Sequence, residues 1–393
     1  MPNLLLFLLG VLLFAAFFRY DFIFYVLYVF FFIYIGARFW VRAVVKRIQI
    51  ERQYEPRALH GEKQVVTVKV HNRSWLPIPY MRLHESAPIQ LKMPNFERAV
   101  VSLRARESAE LSYTLDCRQR GYYELGPLTL EVGDLFGIYR EERQITTGDH
   151  IAVYPRIVPL QDLRLPAQTP YGTIKRPQSL MQDPSRMMGV CPYQSGDSMR
   201  HIHWKMTASS GQLQVKRFEP AISIEAQLYL NLNRSEYTTQ RASQASELAI
   251  VTTASFVSLL TAQRQTVGFT SNGYDPLVGE HKAVHLPSAR GEAQQTAILD
   301  ILARIQLTEA APFEELLRRA RLNLRWGGTS VVITPHASDA LVDTLLLLKR
   351  SGLNVVLILV DPQSTFTVIV RRMEQAGIQA FQVWQERDLD IWR

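Results

Sequence analysis

The chain has 393 residues, of which 47% are hydrophobic and 20% charged, and its formal net charge is +8. A chain of this length is too long for a single hydrophobic core, so we expect two or three compact units. The composition is that of a folded protein. Only two cysteines occur, Cys117 and Cys191, which excludes a disulfide framework or a cysteine-rich zinc site and fits a reducing compartment.

The N-terminus carries two apolar arms, residues 4–18 and 22–37, separated by Arg19-Tyr20-Asp21. Each arm is shorter than the roughly 20 residues that cross a bilayer comfortably. Two arrangements remain open: a hairpin of two transmembrane helices turning at residues 19–21, and a single tilted helix with polar residues inside it. The hairpin is favoured because a turn at the interface lets Arg19 and Asp21 reach water.

A basic flank follows the second arm and consists of Arg38, Arg42, Lys46, Arg47 and Arg52. By the positive-inside rule, this flank places the residues after it in the cytoplasm. A cleaved signal peptide is disfavoured, because Met1-Pro2-Asn3 contains no basic side chain. We therefore expect residues 1–47 to form a transmembrane hairpin and basic flank in contact with the lipid bilayer. The protein is then a multi-pass cell-membrane protein with two helices and cytoplasmic soluble domains.

Residues 48–160 have the pattern of short β-strands. Residues 64–70 alternate as a half-buried strand does, and further β-type runs occur at 99–103, 109–115 and 128–132. Glycine and proline punctuate these runs at short intervals, which predicts an antiparallel β-sandwich. Residues 133–137, Gly-Asp-Leu-Phe-Gly, predict a turn in which Asp134 bonds the backbone and the aromatic side chain joins the core.

The most distinctive stretch is residues 193–205, Tyr-Gln-Ser-Gly-Asp-Ser-Met-Arg-His-Ile-His-Trp-Lys. Ile202 and Trp204 alternate with polar residues, so on a strand both would lie on one face, with Trp204 filling a core. Asp197 follows Gly196 and lies three residues before Arg200, a spacing that lets a short acid cap the turn presenting the arginine.

Four interpretations of this stretch are open. The favoured one is a structural clasp, in which Trp204 is a buried anchor and Arg200 pairs with Asp197 or Glu219. A second is anion binding by Arg200, Lys205 and Lys216. A third is a metal site built from Asp197, His201 and His203. The fourth is a docking surface for a partner.

Continued through residues 211–219, this stretch resembles the signature of the bacterial domain of unknown function 58 family. The chain departs from the family at Cys191-Pro192, where the family usually has Arg-Glu, and at Ser209, where Arg is common. The family usually has an acid or amide at His203, which counts against metal chemistry. Residues 120–127 and 133–137 also look like the family. The matching signature residues are Tyr193, Gly196, Asp197, Arg200, Ile202, Trp204, Lys205, Ala208, Leu213, Val215 and Phe218.

Residues 161–222 are expected to bridge the β domain and a C-terminal α/β domain over residues 223–393. Strands are predicted at 225–232, 267–269, 330–333, 355–360 and 381–384. Helices are predicted at 242–263, 297–305, 314–322, 339–349 and 366–376. Strands alternating with helices, with continuous apolar strands, predict a parallel sheet covered on both faces.

The resemblance implies that this α/β domain is similar to the von Willebrand factor A fold, a Rossmann-type fold that binds a divalent metal through Asp-x-Ser-x-Ser. The matching residues here are Asn231, Asn233 and Ser235, and residues 334–336, Thr-Pro-His, stand where a later acid would be. Two amides and one hydroxyl would bind Mg²⁺ weakly. We therefore expect a degenerate site with no tightly held metal, and no cofactor.

Family members are often encoded beside MoxR-type AAA+ ATPases and membrane proteins of the transglutaminase-like superfamily. The resemblance thus implies a non-enzymatic, membrane-anchored adaptor or assembly protein, with a MoxR-type ATPase and other membrane proteins as partners. The alternative is a metal-dependent hydrolase using Asp197, His201 and His203. Nucleic acid is not expected as a partner, because the chain lacks an aromatic and basic platform.

Overall fold

The structure is a computed structural model that describes residues 10, 21–92, 99–160, 182–194, 199–220, 225–279, 282–320, 327–361 and 366–392. The chain divides into two compact units. The first comprises Met1–Arg156 and Leu299–Ile305, and the second comprises Ile157–Ile298 and Gln306–Arg393. Apart from Gly10, the predicted first arm of the hairpin lies outside the described residues, as do Arg19 and Tyr20.

Helix α1 spans Asp21–Val45 and contains the predicted second arm. Its earlier turns expose large aromatic side chains, whereas Val41, Val44 and Val45 are buried in the core of the first unit. By length and composition, α1 could cross a membrane. One end of the helix is therefore embedded in the first unit, and the rest presents an apolar surface.

Between Ile48 and Val153, the described residues of the first unit form strands in three sheets. Their orders are β1-β3-β7-β5, β10-β9-β4-β6 and β2-β11-β8, and only the β2–β11 pair is parallel. The strands are β1 (Ile48–Gln53), β2 (Arg57–Ala58), β3 (Glu62–Asn72), β4 (Ile78–Glu85), β5 (Leu91–Lys92), β6 (Ala99–Leu103), β7 (Ser108–Cys117), β8 (Gly121–Leu125), β9 (Leu128–Gly133), β10 (Arg140–Ile145) and β11 (Asp149–Val153).

The two four-stranded sheets contribute to one hydrophobic core. Alternate residues of β3, such as Val66 and Val68, are fully buried with Leu83 of β4 and Leu130 of β9. The strands predicted at residues 64–70, 99–103, 109–115 and 128–132 are confirmed as parts of β3, β6, β7 and β9. The alternation of apolar and polar residues predicted these strands, because each strand buries one of its two faces.

The structure corrects the prediction that Arg52 belongs to the basic flank. Its side chain is buried in β1, where it binds Glu85 at 2.6 Å and also bonds Asp149. Burial raises the pKa of Glu85, while the Arg52 guanidinium opposes that shift. Arg52 therefore belongs to the interior of the first unit and not to a membrane-facing surface.

The second unit contains a six-stranded sheet in the order β16-β15-β14-β17-β18-β19. In chain order this is 3-2-1-4-5-6, the order of a doubly wound α/β fold. Its strands are β14 (Glu225–Leu230), β15 (Thr266–Ser271), β16 (Val284–Ala289), β17 (Thr329–Thr334), β18 (Asn354–Val360) and β19 (Gln379–Val383). Its helices are α3 (Ala242–Ala262), α4 (Glu292–Arg304), α5 (Phe313–Ala320), α6 (Asp339–Arg350) and α7 (Phe366–Gln375), and α4 belongs to the first unit from Leu299 onward.

Two features of this unit differ from a simple pattern of parallel strands and surface helices. Edge strand β16 is antiparallel to β15 and was missed, because its polar, proline-containing sequence lacks a continuous apolar run. Helix α3 is long and apolar enough to cross a membrane, yet most of it is buried inside the unit. Its apolar length therefore reflects a core helix.

A two-stranded arm precedes the sheet. It pairs β12 (Gln182–Pro192) with β13 (Gln214–Pro220), antiparallel and with an irregular register. Between them lie a 3-10 turn, Met199–His201, and helix α2 (Trp204–Ser210). The arm and its connection thus carry the described part of the signature stretch.

Candidate functional site

Local capping explains why the signature stretch forms a helix at Trp204. His203 Nδ1 accepts the backbone N–H of Met206 at 3.2 Å, which satisfies a donor that the first turn of α2 leaves open. Gly211 ends the helix with φ +69°, a left-handed conformation that favours glycine. His203 N–H also bonds Gln214 O at 2.8 Å, which joins the helix start to β13.

This helix overturns the prediction that Trp204 is a buried anchor. Trp204 is 69% exposed, whereas Ile202 is buried and bridges Val215 of β13. The predicted strand alternation ends at His203, because side chains of a helix follow a 3.6-residue period instead of alternating. Trp204 therefore turns away from the face that Ile202 occupies.

The other predicted residues of the stretch have different surroundings. The Tyr193 backbone N–H bonds Leu213 O at 2.8 Å, Arg200 and Lys205 are exposed, and Lys216 is half-buried. Gly196 and Asp197 lie outside the described residues. The pairing of Arg200 with Asp197, and the metal set of Asp197, His201 and His203, therefore stay predictions.

Four apolar side chains of this stretch are exposed together with Arg200 and Lys205. Several large apolar side chains exposed on one short segment indicate an interaction site, because exposed apolar patches mark such sites. We call this set the signature patch, and it consists of Met199, Trp204, Met206 and Leu213.

The predicted degenerate metal site lies at the carboxyl end of β14, next to the end of β17. The Asn231 side chain is buried and makes four hydrogen bonds. Its Nδ2 donates to Glu236 Oε2 at 2.7 Å and Thr334 Oγ1 at 3.0 Å. Its Oδ1 accepts from the Asn233 backbone N–H and from Asn272 Nδ2, both at 3.0 Å. An amide has two donors and two acceptor lone pairs, so Asn231 is saturated.

Asn233 extends the same network. Its Nδ2 donates to Glu236 Oε1 at 3.3 Å, and its Oδ1 accepts the N–H of Ser235 at 3.4 Å. Ser235 itself is exposed. Burial raises the pKa of Glu236, while the hydrogen bonds from Asn231 and Asn233 oppose that shift. Two amides thus hold the carboxylate of Glu236 where a metal ion could otherwise be bound.

Sequence reasoning located Asn231 and Asn233 but missed Glu236 and Asn272. Asn272 directly follows β15, so the rule that strand ends share one edge of a sheet could have found it. Over the described ranges, no group of three or more His, Cys, Asp or Glu side chains is placed to hold a metal ion.

A second feature of this unit is a cleft of about 700 Å³ beside β14, β15 and β16. Gln227 Nε2 donates to Thr270 Oγ1 at 2.9 Å, and Ser288 Oγ donates to Gln227 Oε1 at 3.1 Å. A Cβ at Gly268 would lie 1.9 Å from Gln227 Oε1, so any other residue at position 268 would displace this amide. The cleft therefore has an ordered polar floor whose hydrogen bonds are made internally.

Residues 189–367 match the family model described as "Protein of unknown function DUF58", which confirms the resemblance drawn from the signature stretch. The "Uncharacterized protein YeaD" of Bacillus subtilis is 24% identical over 322 residues, which cover 80% of this chain and 76% of that protein.

Two solved structures are among the matches. The CARDB domain of PF1109 from Pyrococcus furiosus is 14% identical with a TM-score of 0.20, covering 27% of this chain and 91% of its own. A von Willebrand factor type A protein from Catenulispora acidiphila is 8% identical with a TM-score of 0.32, covering 46% of this chain and 42% of its own.

Proposed function

We propose, from the match of residues 189–367 to the DUF58 family model, that the protein is a membrane-anchored adaptor that docks a MoxR-type AAA+ ATPase. In this proposal, an N-terminal hairpin that includes α1 anchors the chain in the cell membrane, and both units lie in the cytoplasm. The first unit is a β-sandwich, the second is a von Willebrand factor A-like domain without a tightly held metal, and the signature patch is the docking surface.

The exposure of Trp204 carries this proposal. A tryptophan in a monomer usually buries most of its surface, and exposed tryptophan and methionine side chains are enriched at the centres of protein interfaces. Trp204 lies within the part of the chain that matches the family and is accompanied by three further exposed apolar residues. Arg200 and Lys205 add positive charge, which favours an acidic partner surface.

The polar network around Asn231 supports a second unit without a tightly held metal. In that network, hydrogen bonds from amides satisfy the carboxylate of Glu236, which leaves it poorly placed to bind metal. The alternative hydrolase is also weaker because the Nδ1 atom of His203, one of its proposed ligand residues, already accepts the Met206 N–H. In a neutral imidazole the proton then lies on Nε2, so neither ring nitrogen has a free lone pair for a metal.

The experiment measures binding of the purified, full-length protein in lipid nanodiscs to the MoxR-type ATPase encoded in the same genome. Trp204→Ala is compared with Trp384→Ala, which removes a second exposed tryptophan outside the patch. An interface anchor contributes about 2 kcal/mol or more, so Trp204→Ala should weaken binding about 30-fold.

Trp384→Ala should leave this affinity unchanged, and neither variant should lower the thermal unfolding midpoint appreciably. Equal affinities for Trp204→Ala and the parent would contradict docking through the signature patch. Failure of the parent protein to bind the ATPase would contradict the partner assignment.

The orientation is tested separately. A reporter that is active only outside the cytoplasm is fused after Arg393, and the proposed hairpin requires it to stay inactive. Strong exterior activity would instead indicate a single span with the soluble units outside.

A further inference from the structure

An exposed apolar turn connects β9 and β10 in the first unit. Asp134 is buried at its base, where its Oδ1 accepts the N–H of Tyr139 at 3.2 Å and its own N–H bonds Tyr139 O at 3.2 Å. Leu135 and Phe136 lie at the tip, and Phe136 is 69% exposed. The structure thus corrects the expectation that this aromatic side chain joins the core. The turn is fixed at its base and projects two apolar side chains into solvent.

This turn lies beside helix α1. Arg143 donates to Val45 O at 3.2 Å near the end of the helix, and farther back Tyr139 OH accepts from Arg42 Nε at 3.2 Å. The Tyr139 ring is 6.4 Å from the ring of Tyr34. From Arg143 to Tyr139 the chain therefore runs back along α1, away from the helix end at Val45. Tyr139, at the base of the turn, contacts the part of α1 in which Ile35 and Phe39 are exposed.

A second exposed apolar residue lies at the same end of the unit. The connection from β3 to β4 is held to α1 by Trp40 Nε1, which donates to Pro77 O at 2.9 Å. The N–H of Arg73 bonds Arg47 O at 3.2 Å, just after the helix ends. Between these two attachments lies Trp75, which is 67% exposed.

Basic side chains surround this connection. The Arg106 N–H bonds Ser74 O at 3.2 Å, and Asn72 Nδ2 donates to Arg104 O at 2.9 Å, which places the β6–β7 turn next to it. Positive charge near an apolar surface favours anionic headgroups. The exposed basic residues at this end are Lys46, Arg47, Arg73, Arg104 and Arg106.

We propose that Leu135, Phe136 and Trp75 enter the boundary between headgroups and acyl chains of the bilayer that holds α1. This inference rests on the membrane anchoring in the proposed function. Tryptophan and phenylalanine are stabilised at that boundary, and the basic residues contact anionic lipid headgroups. The first unit then has three points of membrane contact, namely α1 and the two turns, which restrict its rotation about the helix.

The experiment places a fluorescent probe at single positions of the full chain reconstituted in phosphatidylcholine–phosphatidylglycerol vesicles. Probes are attached at Phe136→Cys and Trp75→Cys in a Cys191→Ser background, in which the buried Cys117 stays unlabelled. Nitroxide-labelled lipids quench a probe that lies within the bilayer. Phe30→Cys on α1 reports the span itself. Val65→Cys is the matched control, because Val65 is exposed but lies about 23 Å along β3 from Asn72.

We expect the probes at positions 136 and 75 to be quenched at least about two-fold more than the probe at 65, with strongest quenching by shallow nitroxides, since interfacial groups lie about 5–10 Å deep. The probe at 30 should respond most to deep nitroxides. If the probe at position 30 is quenched while the probe at 136 or 75 is quenched no more than the probe at 65, the proposed lipid contact is overturned. The membrane anchoring by α1 is then still supported. If 30 is not quenched, the anchoring fails and this inference fails with it.

Discussion

Replacing Asn231 with aspartate tests whether the amide network stabilises the second unit. Asn231→Asp keeps the acceptor oxygen Oδ1 but replaces the NH2 group, with its two N–H donors, by a second oxygen. One donor bonds the carboxylate of Glu236 at 2.7 Å and the other bonds Thr334 Oγ1 at 3.0 Å. A hydrogen bond to a charged group contributes about 1.5–3 kcal/mol and a neutral one about 1 kcal/mol, so we expect a loss of about 2–4 kcal/mol at pH 8.

The loss should depend on pH with a definite sign. Burial already raises the pKa of Glu236, and a second carboxylate beside it raises the pKa values of the pair further. The folded variant then binds more protons than the unfolded chain, so its stability falls as pH rises through the folded pKa values. Below the ordinary pKa of glutamate, about 4.3, the stability gained from the extra bound protons is fully present. The deficit should therefore shrink steadily between pH 8 and pH 5.

Native-state hydrogen exchange of the β14 and β17 amides in the full-length protein measures this difference locally. The matched control is Asn354→Asp, because the Asn354 amide makes one 3.3 Å bond to Gly327 O away from any buried carboxylate. A deficit below about 0.5 kcal/mol would refute the reasoning, since it would mean that the Asn231 donors stabilise nothing. A deficit that does not change with pH would contradict the expected coupling of the two carboxylates.

Three further predictions concern the other sites. His203→Ala should destabilise α2 by about 1 kcal/mol through loss of the cap, whereas His203→Asn should be nearly neutral because asparagine also accepts the Met206 N–H; exchange of the α2 amides distinguishes them. Arg52→Ala should cost the first unit about 3–5 kcal/mol, because it leaves Glu85 buried without its partner. Arg82→Ala should cost less than about 1 kcal/mol, because the Arg82–Glu131 pair is partly exposed. Urea titration measures both variants, and an unfolding free energy of Arg52→Ala equal to that of the parent would contradict the burial argument. Millimolar Mg²⁺ should stabilise the parent by well under about 1 kcal/mol, and a large shift of the melting temperature that Ser235→Ala abolishes would show a functional metal site.

Elements with strong periodicity were predictable from sequence. The alternation of β3 and the helical spacing of α3 both survive in the structure within a few residues. These patterns are local, because a strand or helix that buries one face must repeat its apolar residues at a fixed interval. Edge strand β16 shows the limit, since an exposed edge needs no such repeat.

The amino-acid sequence by itself determined the family signature, the amides at Asn231 and Asn233, and the apolar segment that became α1. Only the tertiary structure decided that Trp204 is exposed and that Arg52 is buried. The first outcome depends on a cap from His203 that ends the strand pattern, and the second on Glu85 and Asp149 reaching β1 from distant strands. Asn231 likewise meets Thr334 because β14 pairs with β17. Such pairings join residues far apart in the chain, whereas periodicity reports only what each segment buries.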